Sequence, residues 1–351
     1  MIKRDTSIIF RALAIIIVMM SHYATWMYLP AANEALRYRI SNWGPFGVDI
    51  FFLLSGYGLY LSASKTTRPG WLFLIKRLVN VYIPYLVIVF IVMLINGEWK
   101  DITVSSCLDY FIGADYWYIE VLLIIYVLFF VIWSAFCGDM IRIFLISVSV
   151  LCFSFILYRI GRSDFWIVSN VSFLVGILAA CFERKLSAKE CSGQERYNED
   201  EKKTEAFLPD KITVLIITLV GIMGFVISKV VYQGIIEKDP LGGFTWKCLM
   251  NLFFAVFILG CCYLYEILTY KRNVGLIGRL IGIIGENSLY IYLMHQALFW
   301  TTIFAFDRLG YIMASVIVAI LSVLISCAVG AFFNRLIFDK VLRKNKDYRL
   351  N

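Results

Sequence analysis

Residues Ile8 to Trp26 read IIFRALAIIIVMMSHYATW. The run is long enough to cross a ~30 Å hydrocarbon layer as a helix. It carries two side chains that such a span has reason to avoid, Arg11 near its start and His22 near its end. An ionised side chain at mid-bilayer costs about 2.5–3.5 kcal/mol on insertion scales, so an intramembrane arginine is a functional candidate by default. Each also has a plainer reading: Arg11 as a cation snorkelling to the interface, His22 as an interfacial imidazole bonded to backbone. The spacing adds something to both. At ~1.5 Å per residue the two lie roughly 16 Å apart along the axis, and eleven steps of about 100° return near the same face. One face then presents a fixed cation toward one side of the membrane and a titratable imidazole toward the other.

The rest of the chain has the same character. Its 351 residues are 61% hydrophobic and 17% charged, with mean hydropathy +0.78. That balance excludes a soluble domain of this size and sets the class as all-α, a polytopic membrane protein. The formal charge of +8 is read as cytoplasmic-loop Lys and Arg, not as affinity for nucleic acid. The nine cysteines form no CxxC pair and fall mostly in apolar runs, with Cys107 in a polar loop placed outside. Neither a disulfide framework nor zinc spacing results, and two histidines in all exclude a His-rich metal site; no metal is expected. The opening MIKRD followed by an apolar run resembles a signal peptide. It lacks a small-residue cleavage site and is interrupted by Arg11, so a retained first span is expected.

Ten apolar runs are long enough to span, at about 8–27, 44–63, 79–96, 117–134, 141–158, 165–182, 211–232, 245–270, 284–306 and 311–334. Lys3, Arg4, Lys65, Arg68, Lys76, Arg77, Lys271, Arg272 and Arg279 fall on one side of this topology with a basic tail at 335–351. The bias predicts about ten transmembrane helices with both termini cytoplasmic. Residues 183–210 are the one long polar stretch, of mixed charge and few apolar residues, and read as a solvated cytoplasmic loop. A single transmembrane domain over 1–351 is expected, with any chemistry done inside the bundle.

Few groups there could do it. Asp49, in Gly47-Val48-Asp49-Ile50-Phe51-Phe52, lies about five residues inside the outer end of the second run, at the depth of His22 in the first. A carboxylate beside an imidazole fixes its tautomer and raises its basicity, as a general base requires; a capping or ion-pairing Asp is the plainer alternative. Ser55, Gly56 and Gly58 suit close helix packing. Lys76 and Arg77 precede the third span on Arg11's side, as snorkelling cations or as part of a cationic mouth for phosphates. Asp115, Tyr116, Trp117 and Tyr118 open the fourth span as an interfacial belt, and Glu120 lies near the depth of His22, for a substrate or an ion pair. The ninth span opens Glu286-Asn287-Ser288, with Asn287 and Ser288 as caps, and puts His295 near mid-membrane.

These residues carry a resemblance over essentially the whole length. The chain resembles the acyltransferase 3 family of integral-membrane O-acyltransferases. The family's Arg-x10-His signature is matched by Arg11 and His22. Its Gly-Val-Asp-hydrophobic-Phe-Phe-x-x-Ser-Gly signature is matched by Gly47, Val48, Asp49, Phe51, Phe52, Ser55 and Gly56, and its Ser-x-x-x-Tyr-Leu-x-His signature by Ser288, Tyr292, Leu293 and His295. The basic motif before the third span is half met, with Asn80 where a second Arg falls after Arg77. The resemblance implies transfer of an acyl group, usually acetyl from cytoplasmic acetyl-CoA, to a hydroxyl of a cell-surface carbohydrate or envelope glycan. It implies a multi-pass protein of the cell membrane; many relatives carry an extra extracytoplasmic hydrolase-like domain, and a stand-alone acyltransferase is expected here. Arg11, Lys76 and Arg77 would hold the nucleotide end. His22 would deprotonate the acceptor with Asp49 orienting it, or form an acyl-histidine. His295, Tyr292 and Ser288 would line the donor path, and Glu120 and Trp117 would meet the acceptor.

Two rivals share part of this pattern. A secondary transporter or flippase for a glycan precursor explains ten spans and buried charges equally well, but favours internal repeats and broken helices that the sequence does not display. A bis-histidine haem protein needs His22 and His295 together, and their expected depths differ.

Overall fold

The computed structural model describes residues 2–26, 34–65, 70–97, 100, 103–112, 116–193, 209–269, 275–303 and 310–333. The basic tail at 335–351, the centre of the charged loop at 194–208, Asp115, Arg68, Lys271 and Arg272 lie outside them. The described elements are helical, with no strand among the described residues: α1 (Arg4–Trp26), α2 (Glu34–Ser41), α3 (Gly44–Ala63), α4 (Trp71–Asn96), α5 (Val104–Ile112), α6 (Trp117–Ala135), α7 (Asp139–Arg159), α8 (Asn170–Gly193), α9 (Lys211–Ile235), α10 (Pro240–Thr269), α11 (Leu276–Glu286), α12 (Ser288–Thr302) and α13 (Tyr311–Phe333). Among the described residues nine helices are long and apolar enough to cross a membrane, or ten if the bent pair α11–α12 counts as one span. Large apolar side chains cover their outer faces, such as Ile212, Met223 and Val230 on α9. An outward apolar face is what a hydrocarbon solvent requires.

The expected spans are found nearly in place, with three corrections. The third begins at Trp71, so Lys76 and Arg77 lie within a helix and not ahead of it. The ninth is not one straight helix: α11 and α12 meet at 74°. The segment around Cys107, read as a loop, is the short helix α5. In addition, α8 continues to Gly193, eleven residues into the segment read as a charged loop. The first of these, Glu183, is fully buried.

The chain divides into two compact units, and α1, α3, α4 and α6 each pass from one into the other. Unit 1 comprises Met1–Phe10, Val48–Leu74 and Val121–Asn273. Its polar interior includes buried carboxylates bonded to hydroxyl and amide donors. Glu183 accepts hydrogen bonds from the hydroxyls of Tyr57, at 2.5 Å, and Tyr263. Tyr57 in turn accepts from the Ile2 amide at 2.7 Å. Glu266, also buried, accepts from the Lys3 amide at 2.7 Å and from Thr6 Oγ1 at 2.5 Å. These bonds secure the first turn of α1, whose leading amides have no partner within the helix itself.

Close packing of α3 on α8 depends on glycine at two positions. A Cβ on Gly56 would run into the Phe173 carbonyl, and one on Gly176 into the Leu53 carbonyl. Small residues let membrane helices approach in this way. Gly58, by contrast, would bring a Cβ into open space, so of the two glycines read as packing residues only Gly56 has that role. Gly176→Val should lower the melting temperature in detergent, since overpacking costs about 1–3 kcal/mol. Gly58→Ala should leave it within the scatter of a neutral surface change, about ±0.5 kcal/mol. Thermal unfolding followed by size-exclusion fluorescence measures both.

Candidate functional site

Unit 2 comprises Arg11–Gly47, Ile75–Glu120 and Val274–Asn351, and both histidines of the chain lie in it. The bend before α12 brings them together. The Asn287 amide donates to the Ile283 carbonyl at 3.2 Å, and so does its side chain, Nδ2, at 2.8 Å. Asn287 thus closes α11 behind it and makes no side-chain cap on α12, contrary to the capping role expected for it. Gly330 on α13 gives the bend room, because a Cβ there would strike Asn287 Oδ1. From this restart α12 carries Ser288, Tyr292 and His295 as buried residues.

His22 Nδ1 lies 2.7 Å from His295 Nε2. The rings are 5.0 Å apart between centroids and 10° from parallel. His295 is 1% exposed, and its Nδ1 faces two backbone carbonyls, Tyr292 O at 2.7 Å and Ile291 O at 3.1 Å. Trp26, one turn beyond His22, packs against both rings, at 5.1 Å and 5.8 Å, and continues to Phe299 and Trp300. Tyr23 pairs with Ser322 Oγ at 3.0 Å, joining α1 to α13.

A tyrosine cluster steadies α12 from the other side. Tyr116 donates to the Leu293 carbonyl at 2.9 Å. Tyr118 lies edge-on to Tyr292 at 5.3 Å, and Tyr85 edge-on to Tyr116 at 5.6 Å. Sequence reading took Tyr116 and Tyr118 as belt aromatics and missed this role, along with those of Tyr23 and Trp26. The available signal was density: tyrosine recurs at 82, 85, 116, 118, 290 and 292 within apolar runs.

The other candidates are distributed as follows. Arg11 and Lys76 are exposed and Arg77 half-buried, on α1 and α4 of this unit. Trp117 and Glu120 are half-buried on the first turn of α6. Asp49 belongs to unit 1 and is fully buried. Its Oδ1 accepts from Ser172 Oγ at 2.8 Å and Asn251 Nδ2 at 3.4 Å, on α8 and α10.

Among the described residues the His22 ring bonds to the imidazole of His295, and Asp49 bonds to Ser172 and Asn251 within its own unit. The different depths expected for His22 and His295 came from extending α12 as a straight helix from residue 284; the turn at Asn287 redirects it. The contact also speaks against haem between the two rings. Axial imidazoles on opposite sides of an ion need two metal–nitrogen bonds of about 2 Å each, and these nitrogens touch directly.

Fold and site together define a helical membrane protein with an intramembrane imidazole pair. The acyltransferase domain family matches residues 7–331, and the chain belongs to it: this is a membrane acyltransferase of the acyltransferase 3 family. No curated protein and no solved structure matches the chain.

The bonds of Asp49 to Ser172 and Asn251 have a direct consequence. Asp49→Asn keeps an acceptor for Ser172 and should stay within about 1 kcal/mol of the native stability. Asp49→Leu leaves Ser172 and Asn251 as buried donors without an acceptor, at about 1–3 kcal/mol each. Melting curves of the two variants in detergent should separate accordingly.

Proposed function

We propose that the protein is an O-acyltransferase that moves an acetyl group from cytoplasmic acetyl-CoA to a hydroxyl of an extracytoplasmic carbohydrate or cell-envelope glycan. The observation that carries this reading is the His22–His295 contact, which engages Nδ1 of His22 and leaves its Nε2 without a hydrogen-bond partner among the described residues. A half-buried imidazole with one nitrogen held and the other open has the form of a general base. Acetyl-CoA, when bound, supplies a thioester carbonyl and a thiol leaving group. His22 Nε2 takes the proton of the acceptor hydroxyl as that oxygen bonds to the carbonyl carbon. The carbon–sulfur bond breaks, and the proton held by His22 returns to the thiolate.

Arg11, Lys76 and Arg77 supply positive charge on the α1 and α4 segments of the same unit. Guanidinium and ammonium groups suit the phosphates of the donor. Trp117 and Glu120, half-buried where α6 begins, are the acceptor contacts in this reading. Ser288 and Tyr292, buried around the turn that bears His295, line the path of the acyl group. The Lys and Arg bias supports cytoplasmic termini and a cell membrane location, with Arg11 toward the donor side and His22 toward the acceptor side.

The test uses purified protein in nanodiscs with radiolabelled acetyl-CoA. The wild type should bind it saturably and consume the thioester. His22→Ala should retain binding and lose 10²–10⁴-fold in rate, the usual size of a general-base contribution. Arg11→Ala should weaken binding about tenfold. A well-folded wild type that neither binds nor consumes acetyl-CoA overturns the proposal.

A further inference from the structure

We infer that His295 is a positioning residue that fixes the tautomer of His22, and that Tyr292 and Ile291 carbonyls fix the tautomer of His295 in turn. The inference rests on the proposed reaction only for the use made of the free nitrogen; the proton positions follow from the contacts alone.

A carbonyl oxygen only accepts hydrogen bonds. His295 Nδ1 lies 2.7 Å from one and 3.1 Å from another, so it must carry a proton; a bare nitrogen there would set lone pairs against lone pairs. A neutral imidazole has a single ring proton, so Nε2 of His295 is bare. Among the described residues no carboxylate is a hydrogen-bond partner of either ring; their partners are each other and the two carbonyls. A charged His295 would therefore be buried with no counter-charge bonded to it, and buried ions need pairing. Neutral His295 then offers an acceptor 2.7 Å from His22 Nδ1, and that nitrogen must be the donor. The same one-proton rule leaves Nε2 of His22 bare. Both rings are thus held as the Nδ1–H tautomer, the minor form of free histidine.

The relay also prepares the pair for charge. When Nε2 of His22 accepts a proton, the cation is shared through the Nδ1–H···Nε2 bond with His295, whose far side already points its N–H at two carbonyl dipoles. Backbone carbonyls here do what a carboxylate does for a catalytic histidine in water-soluble sites, and they do it without a second buried ion.

The chain has two histidines, so ¹⁵N-histidine labelling yields four ring-nitrogen signals, and His295→Gln assigns them. At alkaline pH in nanodiscs, the wild type should show protonated Nδ1 and bare Nε2 on both rings. A His22 protonated at Nε2 overturns the inference, whatever the activity. The Gln side chain of His295→Gln can place an acceptor oxygen where Nε2 stood, so this variant should keep His22 in the Nδ1–H form and stay within about tenfold of the wild-type rate. His295→Leu has no acceptor; it should release His22 toward Nε2–H and lose at least 10²-fold. Equal losses in both variants with an unchanged His22 tautomer would reduce His295 to packing and also overturn the inference. Correct tautomers in a protein that consumes no acetyl-CoA would refute the proposed reaction and leave the relay standing.

Discussion

The bond between His22 and His295 closes a loop of 273 positions in sequence, and much of unit 2 is arranged to permit it. A straight helix through residues 284–306 would not present His295 to α1 as it is found. The turn at Asn287 does so, and it is possible because Gly330 has no side chain to obstruct it. Once turned, α12 is held at the His295 level by Tyr116 on its Leu293 carbonyl, while Tyr23 links the His22 turn of α1 to α13 through Ser322. The pair is supported on more than one side.

Where unit 1 buries a carboxylate, hydroxyl and amide donors are among its partners: Tyr57 and Tyr263 on Glu183, Thr6 and the Lys3 amide on Glu266, Ser172 and Asn251 on Asp49. Lys3 Nζ, 3.4 Å from Glu266, is half exposed and reaches that site from the surface. Without water to solvate them, buried polar groups must be satisfied by the protein itself. Tyrosine suits the task because its ring packs with apolar neighbours while its hydroxyl donates, which accounts for its prominence at both carboxylate and histidine sites.

What the sequence made legible follows from the same constraint. Helix existence is written in long apolar runs, and the 44–63 run matches α3 at both ends. Candidate residues were legible because polar groups are rare in such runs, so Arg11, His22, Asp49 and His295 stood out singly. Their partners were not. Depth along a span says nothing of which way a helix face turns; within its own unit Asp49 bonds to α8 and α10. The break at Asn287 was hidden because Glu286-Asn287-Ser288 serves equally as the start of one helix or the joint between two. Glu183 was misread because a charge beside a charged segment looks solvated; its two tyrosine partners lie 126 and 80 positions away.

These constraints bear on how a general base can be built inside a bilayer. In a soluble enzyme a buried carboxylate can orient a histidine, and the surrounding water and dipoles limit the cost. In a hydrocarbon medium the same carboxylate adds an ion that must be paired before any substrate arrives. A second imidazole avoids that cost: it accepts from the first ring while neutral and can share a proton once one is taken. Its own orientation comes from Tyr292 and Ile291 carbonyls that the helix already provides. Tyr292 lies three positions before His295, so the carbonyl and the ring it holds lie on successive turns of one helix. The relay's second acceptor is thus a backbone group that α12 supplies by its own geometry.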